Sequence, residues 1–213
     1  MLFLASEARS FLKERQKASP NFVNEIRESV RKKGRQDLPP IIFIPGFLFG
    51  DYATSFLREV FTLKGARTFG WGGGLINKGR ADVFLEMSLL IDSVYSELGP
   101  VVLSGWSFGG NIAEILASKN PEKIAGIITM GTPHCSNEIH ILIRIIFRII
   151  SGKNFNEINC KINSLIPTLS LYSITDKIVR KQQGINIPGG HFGFLVSKKT
   201  IKLTEEFILS LKN

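Results

Sequence analysis

Val101-Val102-Leu103-Ser104-Gly105-Trp106-Ser107-Phe108-Gly109-Gly110-Asn111-Ile112-Ala113-Glu114-Ile115-Leu116-Ala117-Ser118 is the stretch that decides the reading of this chain. Val101 to Leu103 are apolar and mostly β-branched, the signature of a short buried strand. From Gly110 to Ser118, Ile112, Ile115 and Leu116 fall at helical spacing. Between the two lies a G-x-S-x-G pentapeptide, Gly105 to Gly109. A strand that turns at once into a helix around a serine strains that serine's backbone and lifts its hydroxyl clear of the sheet. Gly105 and Gly109 are then needed because side chains there would strike the strand or the start of the helix. The helix N-terminus adds partial positive charge where an oxyanion would form. Alone the pentapeptide is a weak signal. Between a strand and a helix it makes Ser107 a candidate nucleophile.

A serine hydroxyl needs a base within hydrogen-bond reach to attack anything at neutral pH. The chain has three histidines. His191 follows the short apolar run Ile185-Asn186-Ile187, sits in the loop Pro188-Gly189-Gly190-His191, and precedes a closing helix. It is the candidate base. His134 reads as a turn-shaping residue, and His140 as part of a polar helical stripe. The base must be held in one tautomer by a buried carboxylate. Asp176, at the end of the strand-like run Thr168 to Ile174, is the candidate. Asp82 and Asp92 fall on a long amphipathic helix and read as surface charges. Asp51 is the second choice. The oxyanion needs two backbone N–H donors. Phe108, directly after the serine, is one. Phe47, in the loop after Ile41–Ile44, is the other, because Pro45 cannot donate and Gly46 permits close backbone approach.

Strand-like and helix-like segments alternate along the chain. Ile41–Ile44, Ala66–Trp71, the elbow strand, Ile124–Met130, Thr168–Ile174 and Ile185–Ile187 read as strands. Thr54–Phe61, Ala81–Leu98, Gly110–Ser118 and Thr200–Leu211 read as helices, the second stopped by Gly99-Pro100. This alternation predicts an α/β fold, a mostly parallel sheet of about six or seven strands with helices on both faces. Ligands of such sheets bind beyond the carboxyl ends of the strands, where Phe47, Ser107, Asp176 and His191 all fall. Residues 1–38 read as a peripheral helical region. Phe22, Ile26 and Val30 form one apolar stripe, with Ser19 and Pro20 at its start and Gly34 and Pro39-Pro40 closing it.

With 213 residues, 44% hydrophobic and 21% charged, the chain suits one globular domain spanning 1–213. Its two cysteines, Cys135 and Cys160, make no disulfide framework and show no metal-ligand spacing. No metal site, cofactor or phosphate loop is expected; Gly72-Gly73-Gly74 lacks the spacing and lysine of the last. No apolar run reaches bilayer length, and the first residues lack the pattern of a signal peptide. The expectation is a cytoplasmic protein. The net charge is +9, and residues 1–36, with nine Lys/Arg against four Glu, hold +5 of it. A solvated helical face explains this simply; attraction to an anionic membrane surface is the second reading. No nucleic-acid motif accompanies the charge.

The pieces IIFIPGF (41–47), GWSFGG (105–110), ITMGTPH (128–134), LYSITDKIV (171–179) and GGHFGF (189–194) occur in an order that resembles the α/β-hydrolase superfamily of serine esterases and lipases. The likeness is to bacterial lipase-like and GPI-inositol-deacylase-like members and covers roughly residues 39–211. It implies an α/β-hydrolase fold with a Ser107–Asp176–His191 triad. Two departures stand out. Many relatives carry His-Gly where this chain has Pro45-Gly46, and glycine is common where this chain has Lys177.

Residues 136–166 fall where such hydrolases often carry a cap or lid. Within them Ile139 to Ile150 is Ile, Leu or Phe except for His140, Arg144 and Arg148, which form one narrow stripe at i, i+4, i+8. A helix this apolar is either buried by neighbours or a lid that faces an acyl pocket and touches lipid. Phe49, Trp106, Ile145 and Phe147 are the candidate substrate-binding residues. Their apolar character favours an uncharged acyl ester, small-molecule or lipid, over a sugar or phosphate. The function expected is carboxylic ester hydrolysis through an acyl-enzyme. An acyltransferase or thioesterase with the same triad, and a non-catalytic binding protein on this fold, are the alternatives.

Overall fold

The structure is a computed structural model and describes residues 23–28, 30–31, 37–76, 83–134, 138–151, 165–180 and 183–212. Six strands form one sheet in the order β2-β1-β3-β4-β5-β6, and every pairing is parallel. They are β1 (Ile41–Ile44), β2 (Thr68–Gly70), β3 (Val101–Trp106), β4 (Ile124–Met130), β5 (Thr168–Tyr172) and β6 (Ile185–Asn186). The helices are α1 (residues 23–28), α2 (Ser55–Lys64), α3 (Val83–Leu98), α4 (Phe108–Lys119), α5 (Ile141–Ser151) and α6 (Lys198–Ser210).

The sheet is covered on both faces, so its central strands are apolar runs rather than alternating ones. Ile41, Phe43, Val102, Ile128 and Leu171 face one core, closed by Phe56, Val60 and Phe61 of α2 and Ile201 and Ile208 of α6. Ile42, Ile44, Val101, Leu103 and Ile127 face the other, closed by Met87 and Ile91 of α3 and Ile112 and Leu116 of α4. Val23 and Ile26 of α1 join the first core, with Val30 packed against it. Phe22, Ser19 and Pro20 of that expected stripe lie outside the described residues, as do Cys135 and Cys160.

The expected elements appear, with edges moved for local reasons. The Ala66–Trp71 strand shrinks to Thr68–Gly70 because the N–H groups of Trp71 and Gly72 turn to the Asp51 carboxylate, each at 3.0 Å. The Thr168–Ile174 strand ends at Tyr172, where the Ser173 and Thr175 hydroxyls bond the Gly189 carbonyl. Gly99, at φ +80°, stops α3 with its N–H on Tyr95 O. The register places Ile44 beside Gly105, Trp106 beside Met130, and Met130 beside Leu171. The carboxyl ends of the strands therefore come level, and the loops that leave them share one edge.

Candidate active site

Ser107 occupies the turn between β3 and α4 at φ +55°, ψ −126°. Positive φ on a non-glycine residue is strained, and here three bonds hold it. Ser107 N–H donates to Met130 O at 2.7 Å, while Gly110 N–H and the Thr132 hydroxyl donate to Ser107 O, each at 3.0 Å. The glycines are required by contact. A Cβ on Gly105 would overlap the Gly109 backbone, and one on Gly109 would overlap the Ile44 carbonyl. A Cβ on Gly110 would overlap the Thr132 hydroxyl, and one on Gly46 would come within 3.1 Å of the Ser107 Cβ. The elbow fits only because three backbone segments touch without side chains between them.

Asp176 and His191 meet in the loops after β5 and β6. His191 Nδ1 lies 2.7 Å from Asp176 Oδ2, and both side chains are buried. Asp176 Oδ1 accepts the N–H groups of Ile178 at 2.8 Å and Val179 at 2.9 Å. Those donors fix the carboxylate in place, so that it can take Nδ1–H and leave Nε2 with its lone pair. Beneath the pair is Gly131, at φ +58°, where a Cβ would lie 3.2 Å from His191 Nδ1 and 3.3 Å from Asp176 Oδ2. Asp51, the second-choice acid, is instead committed to the Trp71 and Gly72 amides.

The loop after β1 brings Phe47 to the same edge. Leu48 N–H goes to Ile76 O at 2.8 Å and Phe49 N–H to Gly46 O at 3.0 Å, with Leu48 at φ +65°. The Phe47 ring meets Phe108 edge-on at 6.2 Å. Phe147 of α5 seats between them, 4.9 Å from the Phe47 ring and 5.4 Å from the Phe108 ring. The inserted helix is thus lodged against the two residues expected to supply oxyanion donors.

Three of the expected substrate-binding residues sit apart from the Phe47–Phe108–Phe147 cluster. Trp106 is buried in the first core, where its indole N–H donates to His191 O at 2.9 Å. Phe49 packs on that indole and on Phe192, away from the Phe47–Phe108–Phe147 cluster. Ile145 is exposed on the far side of α5 from Phe147. His140 also leaves its stripe. The helix starts at Ile141, and His140 Nδ1 accepts Leu142 N–H at 3.3 Å at its head. The residues before α5 run beside the acid loop, with His140 N–H on Ile178 O and Arg180 N–H on Glu138 O, each at 2.8 Å.

The sequence reading missed a polar seam behind the serine. Ser107, Asn111 and Glu114 share one face of α4, spaced i, i+4, i+7. They meet consecutive residues of the turn after β4. Thr132 binds Ser107 O, Asn111 Nδ2 donates to Pro133 O at 2.7 Å, and His134 Nδ1 lies 3.7 Å from Glu114 Oε2. Glu114 is fully buried, and desolvation pushes its carboxyl up to about 7. Its signal was available: two polar residues at helical spacing on a helix otherwise read as apolar.

No family model matches the sequence, and no curated protein matches it. Solved structures do. A metagenome-derived lipolytic enzyme of the pair LipS and LipT superposes with a TM-score of 0.65 at 15% identity, over 83% of this chain and 95% of that one. A thermophilic esterase from Thermogutta terrifontis gives 0.60 at 16% identity, over 84% and 92%. MGS-MChE2, an α/β hydrolase from a lagoon-sediment metagenome, gives 0.59 at 15% identity, over 84% and 94%. At such identities the likeness is one of architecture. Together with the parallel sheet and the serine elbow, it shows that the chain has the α/β-hydrolase fold.

Proposed function

We propose that this protein is a serine carboxylic ester hydrolase acting on uncharged acyl esters. The observation that carries the reading is the buried His191–Asp176 hydrogen bond at the strand edge that also presents the strained Ser107. Ser107 Oγ attacks the ester carbonyl carbon as His191 Nε2 takes its proton. The N–H groups of Phe47 and Phe108 donate to the oxyanion. The tetrahedral centre collapses, the C–O bond to the alcohol breaks, and His191 returns the proton to the leaving oxygen. Water then repeats the sequence on the acyl-enzyme, releasing the acid and restoring Ser107. Asp176 holds the imidazole and balances its charge while it is protonated.

Phe47, Phe108 and Phe147 give the acyl side an aromatic wall, which supports an apolar chain. Structural neighbours named as esterases and lipases support ester chemistry. The test is a panel of p-nitrophenyl esters and acyl thioesters of graded chain length, with Ser107→Ala as control. Ester turnover that vanishes in Ser107→Ala supports the reading. Turnover confined to thioesters, or product only when an acceptor alcohol or thiol is added, replaces it with a thioesterase or acyltransferase. No turnover in any arm returns the protein to a binding role.

A further inference from the structure

Helix α5 is apolar on two faces, and the described protein uses only one of them. Phe147 is buried and Ile143 half-buried against Phe47 and Phe108. Opposite them Ile141, Leu142, Ile145 and Ile149 are exposed, Ile149 to 71%. At the helical angle per residue these four fall within an arc of about 100°. Arg144 and Arg148, one turn apart, run along one edge of that arc. His140, at the head of α5, shares a cleft with Ile174, Lys177 and Arg180 of the acid loop. Ile174 is 75% exposed, and the two cations beside it are exposed as well.

Among the described residues, the acids at this end point elsewhere. The Glu138 carboxylate accepts His134 N–H at 2.7 Å, and Asp176 is buried on His191. What remains outside is an apolar ridge bordered by cations. An exposed apolar surface with cations beside it marks an interaction site. Flat on an anionic bilayer, the ridge would sink its isoleucines into the acyl boundary while the cations stay at headgroup level. A second copy of the chain fits the patch poorly, since related copies would set Arg144 and Arg148 against their own counterparts, on a chain of net charge +9.

We propose that the outer face of α5, with Ile174, Lys177 and Arg180, docks this protein on anionic lipid while Phe147 stays seated on Phe47 and Phe108. The two faces have separate tasks: the inner closes the catalytic edge, and the outer meets the membrane without α5 having to lift. Docking in this form goes beyond the ester reading and does not depend on turnover.

The test is cosedimentation of the full chain with phosphatidylcholine vesicles, plain or doped with phosphatidylglycerol. The protein is expected to pellet with doped vesicles at low salt and to be released as salt is added. Ile141→Asp/Ile149→Asp should lower partitioning by at least about tenfold, and Arg148→Glu by about fivefold. Phe147→Ala and Ile143→Ala, on the inner face, should still bind. Ser107→Ala should bind as well, so failure of ester turnover is read separately. Circular dichroism melts establish that each variant is folded. No cosedimentation at low salt overturns the proposal. So does loss of binding in both folded inner-face variants with retention in the Ile141/Ile149 variant, because the helix would then have to lift. A concentration-dependent dimer abolished by Ile149→Asp, with no vesicle binding, assigns the face to a second copy instead.

Discussion

Trp106 and His191 are joined twice: the indole N–H donates to the His191 carbonyl at 2.9 Å, and the two rings lie 5.2 Å apart. The residue before Ser107 thus fixes the loop that carries His191, 85 positions away in sequence. Trp106→Phe keeps an aromatic ring and removes the indole donor to the His191 carbonyl. Stability is expected to fall by about 1–3 kcal/mol and ester turnover by about tenfold, read by urea unfolding and by kcat/KM. Unchanged turnover in a folded Trp106→Phe protein would show that His191 is positioned by other contacts.

Asp176→Asn keeps the shape of the acid loop but offers Nδ1 the wrong partner. Turnover is expected to drop by roughly 10⁴-fold with little loss of fold. A drop smaller than about tenfold would take the orienting role away from Asp176. Asp51 could not inherit it in this structure, since its oxygens serve the Trp71 and Gly72 amides.

Phe147 and Ile145 sit two positions apart on α5 and should behave differently. Phe147 touches Phe47 and Phe108, so Phe147→Ala should shift the preferred acyl length, measured on graded p-nitrophenyl esters. Ile145 is exposed, and Ile145→Asp should leave the chain-length profile where it was. The same shift in both variants would mean that α5 turns its outer face to the substrate.

Glu114 makes stability depend on pH. Its carboxyl is raised from 4.5 to about 7 by burial, so the folded state holds this proton more tightly than the unfolded chain does. Its contribution is complete below pH 4.5 and is lost as pH climbs toward 7. The full swing is of the order of 3 kcal/mol, with His134 as the ionisable group that faces it. Glu114→Gln should flatten the fall in urea midpoint between acid and neutral pH. An equal fall in the variant would place the titration elsewhere.

Much of the fold is legible because buried parallel strands are written as unbroken apolar runs, and Gly-Pro and Gly-rich loops punctuate them. Gly105 read correctly because the start of α4 leaves no room for a Cβ, and Gly109 because the end of β1 leaves none. Trp106 was legible in principle: the strand period of two puts it on the face of Val102, inside the sheet, although it adjoins Ser107 in sequence. The direction of Ile145 was not. A helix with apolar residues on most sides carries no marker of which side is covered, and Arg144 and Arg148 mark only an edge. The polar pair Asn111 and Glu114 was legible at helical spacing, but what faces Glu114 was not, since it depends on a turn 20 residues away.

The proposed chemistry stands on Ser107 as the nucleophile that His191 activates. The most direct measurement is the rate and position of covalent labelling by a fluorophosphonate, mapped by peptide mass spectrometry. One adduct is expected, on Ser107, absent in Ser107→Ala and strongly slowed in His191→Ala. Labelling of another serine at the same rate, or of Ser107 at an undiminished rate without His191, would contradict it.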